Sequence, residues 1–184
     1  MSSVDITEQG GGDDDPGADY VALVREVADR EMTLGTAESL TAGLLSAKIA
    51  DVPGASAVLR GGLVVYATDL KNTIAGVPTG VLDAHGAVSE QTARALAEGA
   101  RRRCGADIGI GLTGVAGPDT QEGRPAGTVY IGVAVPQRET EVRSLQLSGG
   151  RREVRESACR SAVEAVRELL GNESGPPGVV WDDA

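Results

Sequence analysis

Gly109-Ile110-Gly111-Leu112-Thr113-Gly114 admits two incompatible readings, and the choice between them decides the fold. As G-x-G-x-x-G it would be a dinucleotide-binding turn, which must open a helix whose N-terminus holds a pyrophosphate. Its neighbours refuse that role. Residues 106–113 are apolar apart from Asp107 and Thr113, and Gly114-Val115-Ala116-Gly117-Pro118 follows, which is a loop and not a helix start. The glycines therefore lie inside a buried strand of an α/β sheet.

Outward from this strand, Ser89 caps a helix reaching about residue 104, with Ala93, Leu96, Ala97 and Ala100 inward. Downstream, residues 128–135 read as a strand and 141–147 as its antiparallel neighbour across a turn at Pro136-Gln137. A helix over 151–170 follows, with Val154, Ala158, Ala162, Ala165 and Leu169 on one face and Gly171 as its stop. Near the start, Tyr20, Leu23, Val24, Val27 and Ala28 share a helical face. A strand around 32–37 and a helix over 41–50 come next, ended by Asp51-Val52-Pro53-Gly54. Residues 57–67 read as a buried strand in which Gly61-Gly62 marks a bulge or a close approach. Thr68 or Asp69 then caps a short helix through Lys71 to Ile74, and 78–85 is loop with at most one helical turn. Strands alternating with helices and ending in a hairpin predict one three-layer α/β/α domain with a mixed, mostly parallel sheet.

The net charge of −10 belongs to the ends. Of 27 acids, nine lie in residues 1–19 and 172–184, which hold no base; the other 18 face 17 bases. The chain thus divides into an acidic tail expected to be disordered over 1–18, a near-neutral domain over 19–171 and an acidic tail over 172–184. No basic stripe tracks a phosphate backbone, and aromatics are 2%, so a nucleic-acid partner is not expected. No run approaches the ~18 apolar residues of a membrane helix, and the N-terminus lacks the pattern of a signal peptide. A cytoplasmic protein without membrane partner is expected. Cys104 and Cys159 are separate apolar fillers, and with a single histidine, His85, they make no metal site; no cofactor is expected.

Three segments carry polar groups suited to chemistry. In Thr36-Ala37-Glu38-Ser39-Leu40-Thr41-Ala42-Gly43 a strand ends, a serine stands at the turn and small residues open a helix. Backbone donors at such a junction suit an oxyanion or a phosphate. The serine is either a nucleophile or a plain helix cap, and the residues alone leave both open. A nucleophilic serine needs a base: a triad would have to use His85, whereas a Ser–Lys pair would use one of the two lysines, Lys48 or Lys71. Lys71 follows the apolar strand that ends at Tyr66, close to where a pocket would open; Tyr66 could orient a proton or a substrate. The third segment, Thr113-Gly114-Val115-Ala116-Gly117-Pro118-Asp119, is either an amide or anion cradle or a tight turn.

Taken together and in order, these stretches resemble the C-terminal domain of the CinA (competence/damage-inducible) family, also known alone as nicotinamide-nucleotide amidase. The matching segments are 36–43, 61–71 (GGLVVYATDLK), 85–90 (HGAVSE) and 113–119 (TGVAGPD), extended by 124–130 (RPAGTVY) and 149–155 (GGRREVR). The resemblance runs from about 20 to 170, without the family's separate N-terminal domain. It implies a metal-independent serine–lysine amidohydrolase that converts nicotinamide mononucleotide to nicotinic acid mononucleotide and ammonia in pyridine nucleotide salvage. It implies Ser39 as nucleophile, Lys71 as base and Tyr66 assisting; Thr113, Gly114 and Gly117 around the amide; Thr41 and Gly43 as oxyanion donors; and Arg124 and Arg151 on the ribose phosphate. A pyridine nucleotide is the implied small-molecule partner, and a homodimer the implied assembly. Leu40 stands where Cys is usual, Ala42 for a glycine, Ala67-Thr68-Asp69 for Ser-Asn-Glu, Arg124 for Lys and Gly150 for Asp. These departures motivate the alternative expectation: a catalytically silent nucleotide-binding or partner module of the same fold.

Overall fold

A computed structural model describes residues 17–171. Of the two expected acidic tails, all but Gly17 and Ala18 lie outside the described residues. The elements run α1 (Ala18–Asp29), β1 (Leu34–Glu38), α2 (Leu44–Ala50), β2 (Leu59–Val64), α3 (Thr68–Thr73), α4 (Thr79–His85), α5 (Glu90–Cys104), β3 (Ile108–Gly114), β4 (Thr128–Ala134), β5 (Glu141–Gln146) and α6 (Arg151–Gly171).

The sheet order is β2-β1-β3-β4-β5. β1 pairs in parallel with β2 and β3, while β4 and β5 join as antiparallel neighbours. Four of the five strands therefore share one direction, although two of the four pairings are antiparallel. The α/β class with a mixed sheet is as the sequence pattern predicts.

Strand periodicity explains the three layers. Ile108, Ile110 and Leu112 of β3 and Val129, Ile131 and Val133 of β4 point to one face, joining side chains of α1, α2 and α6 in the largest core cluster. The intervening Gly109, Gly111 and Gly132 face α5, whose backbone comes so close that any Cβ there would overlap it. The glycine run is thus the seat of a helix, which is why it imitates a phosphate-binding fingerprint without being one. Ala93, Leu96, Ala97 and Ala100 of α5 are all fully buried, as their spacing predicts.

Local departures from the sequence reading have identifiable causes. Helix α2 starts at Leu44 and not at 41, because Ala42 and Gly43 take left-handed φ values of 51° and 91° and turn the chain first. The strand expected to be buried is β2 at the sheet edge, where residues alternate between half-buried and exposed. Its irregularity falls at Arg60, since Leu34 pairs with Leu59 and Gly35 with Gly61; Gly62 is the close approach, lying against Ser46 and Thr36. Neither Thr68 nor Asp69 caps α3, whose N-cap position is Ala67. The expected loop at 78–85 is the two-turn α4, opened by Pro78. Ala28, expected on the buried face of α1, is exposed.

This packing sets a stability test. Gly111→Ala drives a methyl into Ala97 N and Ala93 O of α5, so destabilisation by about 3 kcal/mol, the upper part of the overpacking range, is expected in urea unfolding. A midpoint equal to that of the parent would show that α5 does not sit this close.

Candidate active site

The end of β1 delivers Ser39 to the edge of a cavity. Its N–H donates to Leu112 O at 3.0 Å, prolonging the β1–β3 pairing by one residue, and its carbonyl accepts from Ala42 N at 3.1 Å to close the turn. Ser39 is 7% exposed and lines a cavity of about 310 Å3 with Leu40, Tyr66, Gly114 to Gln121 and Arg151. Among the described residues its hydroxyl has no hydrogen-bond partner, so it is not spent on capping α2.

Lys71 lies beside this turn. Its side chain is 2% exposed, and Nζ donates to Val65 O at 3.0 Å and Tyr66 O at 3.1 Å. Val65 N in turn donates to Glu38 O at 2.9 Å, placing the lysine's anchor next to Ser39 across the β1–β2 pair. Burial lowers the Lys71 pKa to about 8, while the Glu122 and Asp69 carboxylates act in the opposite direction. A neutral amine carries two N–H bonds and one lone pair. Two carbonyl acceptors therefore satisfy its donors and leave the lone pair for a proton.

The other sequence-derived candidates divide. Gly114, Gly117 and Arg151 line the cavity; Arg151 donates to Gly117 O at 2.8 Å and to Tyr66 Oη at 2.6 Å, bridging its two rims. Tyr66 is 53% exposed, and its hydroxyl meets Arg151 while its carbonyl meets Lys71. Thr113 is buried and donates to Ala87 O at 2.6 Å, away from the cavity lining. Thr41 is fully buried, and its carbonyl is bonded to Arg155. Arg124 lies in a second cavity, with His85, Ser89 and Tyr130. His85 is there too, exposed and in a different cavity from Ser39, so it does not pair with Ser39.

The main correction concerns the oxyanion donors. The backbone N–H groups of Gly43, Leu45 and Ser46 all donate to the Glu38 carboxylate, at 3.0, 3.1 and 2.9 Å. The start of α2 is therefore closed to a substrate anion. The N–H groups of Leu40, Ala116 and Gly117 have no acceptor among the described residues, and all three residues line the cavity. Glu38, Arg155 and the Leu40 N–H were not singled out from sequence. The available signals were an acid at the inner end of an otherwise buried strand and two arginines, 151 and 155, one helical turn apart. No group of three or more His, Cys, Asp or Glu in metal-holding geometry occurs among the described residues, and no described helix is long and apolar enough to cross a membrane.

The lysine has a pH signature. With its pKa at about 8 in the fold against an ordinary 10.5, the unfolded chain binds more protons than the folded chain between those values. Stability from this group therefore rises with pH across that window. Urea midpoints compared near the two ends of the window should show the parent gaining on Lys71→Met; identical pH dependence would mean that Lys71 is not desolvated.

Comparison with known proteins agrees with this architecture. Residues 20–170 match the family described as the CinA C-terminal domain. A CinA-like protein of Gemmatimonas aurantiaca is 44% identical over 174 residues, covering 94% of this chain and 40% of that protein. One of Frankia casuarinae is 48% identical over 161 residues, covering 88% of this chain and 36% of that protein. The chain thus spans well under half the length of these curated relatives. The crystal structure of a competence-damaged protein (CinA) superfamily protein from Klebsiella pneumoniae matches with a TM-score of 0.80 at 31% identity, covering 83% of this chain and 96% of that one. The chain belongs to the CinA C-terminal domain family.

Proposed function

We propose that the domain is a serine–lysine amidohydrolase acting on the carboxamide of nicotinamide mononucleotide. The observation that carries this reading is a serine hydroxyl at a cavity wall with no partner among the described residues, and a buried lysine whose acceptors among those residues are two carbonyls of the neighbouring strand end.

In the proposed reaction the Ser39 hydroxyl attacks the carboxamide carbon as neutral Lys71 removes its proton. The N–H groups of Leu40, Ala116 and Gly117 receive the developing oxyanion. Collapse breaks the C–N bond, Lys71 returns the proton to the leaving nitrogen, and ammonia departs from an ester on Ser39. Lys71 then takes a proton from a water as its oxygen attacks the ester carbonyl, and returns that proton to Ser39 Oγ as the acyl C–O bond breaks, releasing nicotinic acid mononucleotide. The lowered pKa matters here: at pH 7 about a tenth of Lys71 is neutral, against roughly 0.03% for a lysine at 10.5. Arg151, with donors left over after Gly117 and Tyr66, takes the ribose phosphate; Arg124 lies in the other cavity and is not given that role. Tyr66, accepting from Arg151, keeps its own O–H for the substrate. The reading includes a homodimer, for which exposed Val64, Tyr66 and Ile74 offer apolar surface; sedimentation at monomer mass would remove that part.

The test is ammonia release from nicotinamide mononucleotide. The parent should be active in the presence of a chelator and Ser39→Ala inactive, with Lys71→Ala reduced about 100-fold or more. The rate should rise with pH and level off above about 8, because Lys71 must lose its proton to act. Ammonia release by Ser39→Ala at the parent rate contradicts the mechanism. An inactive parent that binds the nucleotide favours the silent binding module.

A further inference from the structure

Glu38 is a carboxylate with no exposure to water, and it forms no ion pair among the described residues. A buried charge of this kind costs several kcal/mol unless hydrogen bonds replace its hydration. Four donors do so: Gly43 N and Leu45 N reach Oε2, and Ser46 N and Ser46 Oγ reach Oε1 at 2.9 and 2.7 Å. Thr36 Oγ1 lies 3.2 Å from Oε1 and 2.7 Å from Ser46 Oγ, and its one proton serves only one of them. The side chain of residue 38 thereby grips residues 43–46, while its own carbonyl is held by Val65 N. Ser39 to Ala42 form a short arch between two fixed ends.

The arch is also held from outside. Arg155, one turn after Arg151 on α6, donates to Leu40 O at 3.0 Å and to Thr41 O at 2.7 Å. The Ser39 carbonyl is taken by Ala42 N. Every carbonyl from 39 to 41 is therefore fixed, and peptide planarity fixes the opposing N–H of Leu40, Thr41 and Ala42 with it. The two left-handed residues, Ala42 and Gly43, let the chain fold back onto Glu38.

We propose that Glu38 and Arg155 are positioning residues that preset the Ser39 turn, so that the nucleophile and the Leu40 N–H are already in reacting geometry before substrate arrives. This rests on Ser39 being the nucleophile. Neither residue touches substrate. Gln at position 38 keeps the shape but puts an NH2 group where two or three donors need an acceptor. The arch then loosens, whereas the Lys71 anchor, made by Val65 and Tyr66 carbonyls, stays in place.

The experiment follows covalent labelling of Ser39 by a fluorophosphonate, located by peptide mass spectrometry, across pH and independently of the true substrate. Glu38→Gln and Arg155→Ala should lower the plateau labelling rate by about 100-fold, leave its pH midpoint near 8, and lower kcat for ammonia release far more than they change KM. Should Glu38→Gln fail to fold, Ser46→Ala removes one hydroxyl, with its 2.7 Å contacts to Glu38 and Thr36, keeps the backbone donors, and should cost about tenfold in labelling. Thermal unfolding measures the folded fraction in each case. Folded variants that label at the parent rate overturn the positioning role while leaving the serine nucleophile intact. A parent that does not label at Ser39 overturns both.

Discussion

The geometry of the site depends on one buried carboxylate. Glu38 closes β1, turns inward and collects the first N–H groups of α2 together with the hydroxyl of Ser46. Its oxygens, taken out of water, need those donors, and those donors cannot reach it unless the chain turns tightly between them. Gly62 on β2 belongs to the same constraint, because a side chain there would collide with the Ser46 and Thr36 hydroxyls. Strand, turn, helix and neighbouring strand are locked by a single charge, and Ser39 stands at its edge.

From this constraint the division of polar groups follows. A helix start next to a serine invites assignment as an oxyanion site, but an internal anion already fills it. The N–H groups left without an acceptor among the described residues lie on the other wall, at Ala116 and Gly117, with Leu40 from the turn itself. Arg151 spans the rims by way of Gly117 and Tyr66, and Arg155 holds the turn from behind. Two arginines one helical turn apart thus serve opposite sides of the same arch.

Much of this was legible in the sequence, and the remainder fails for physical reasons. Hydrophobic spacing found α1, α5 and α6, and the hairpin of β4 and β5, because burial of one face writes a period into the chain. The glycine run of β3 was readable as strand from its apolar neighbours, although only the packed helix explains why glycine is there. Ser39, Tyr66, Gly114, Gly117 and Arg151 line one cavity, and Lys71, behind its lining, is tied to it through the Tyr66 carbonyl. Thr41, Thr113 and Arg124 did not, because what holds them is distant in sequence: Arg155, the Ala87 carbonyl and a different cavity; Gly43 did not, because its N–H is taken by Glu38 of the same turn. Local spacing carries no record of such pairings. The start of α2 was misjudged by three residues since left-handed geometry at Ala42 is not written in an alanine.

The central claim is a lysine that gives up its proton far more easily than an ordinary one, near a serine hydroxyl with no partner among the described residues, and the chain's two lysines make it directly measurable. Nitrogen NMR of lysine-labelled protein, with Lys71→Met assigning the resonance, gives the titration midpoint of the Lys71 amine. The account predicts a midpoint near 8. A midpoint at the ordinary lysine value of 10.5 would contradict it, since such a group would stay charged and could not take a proton from Ser39.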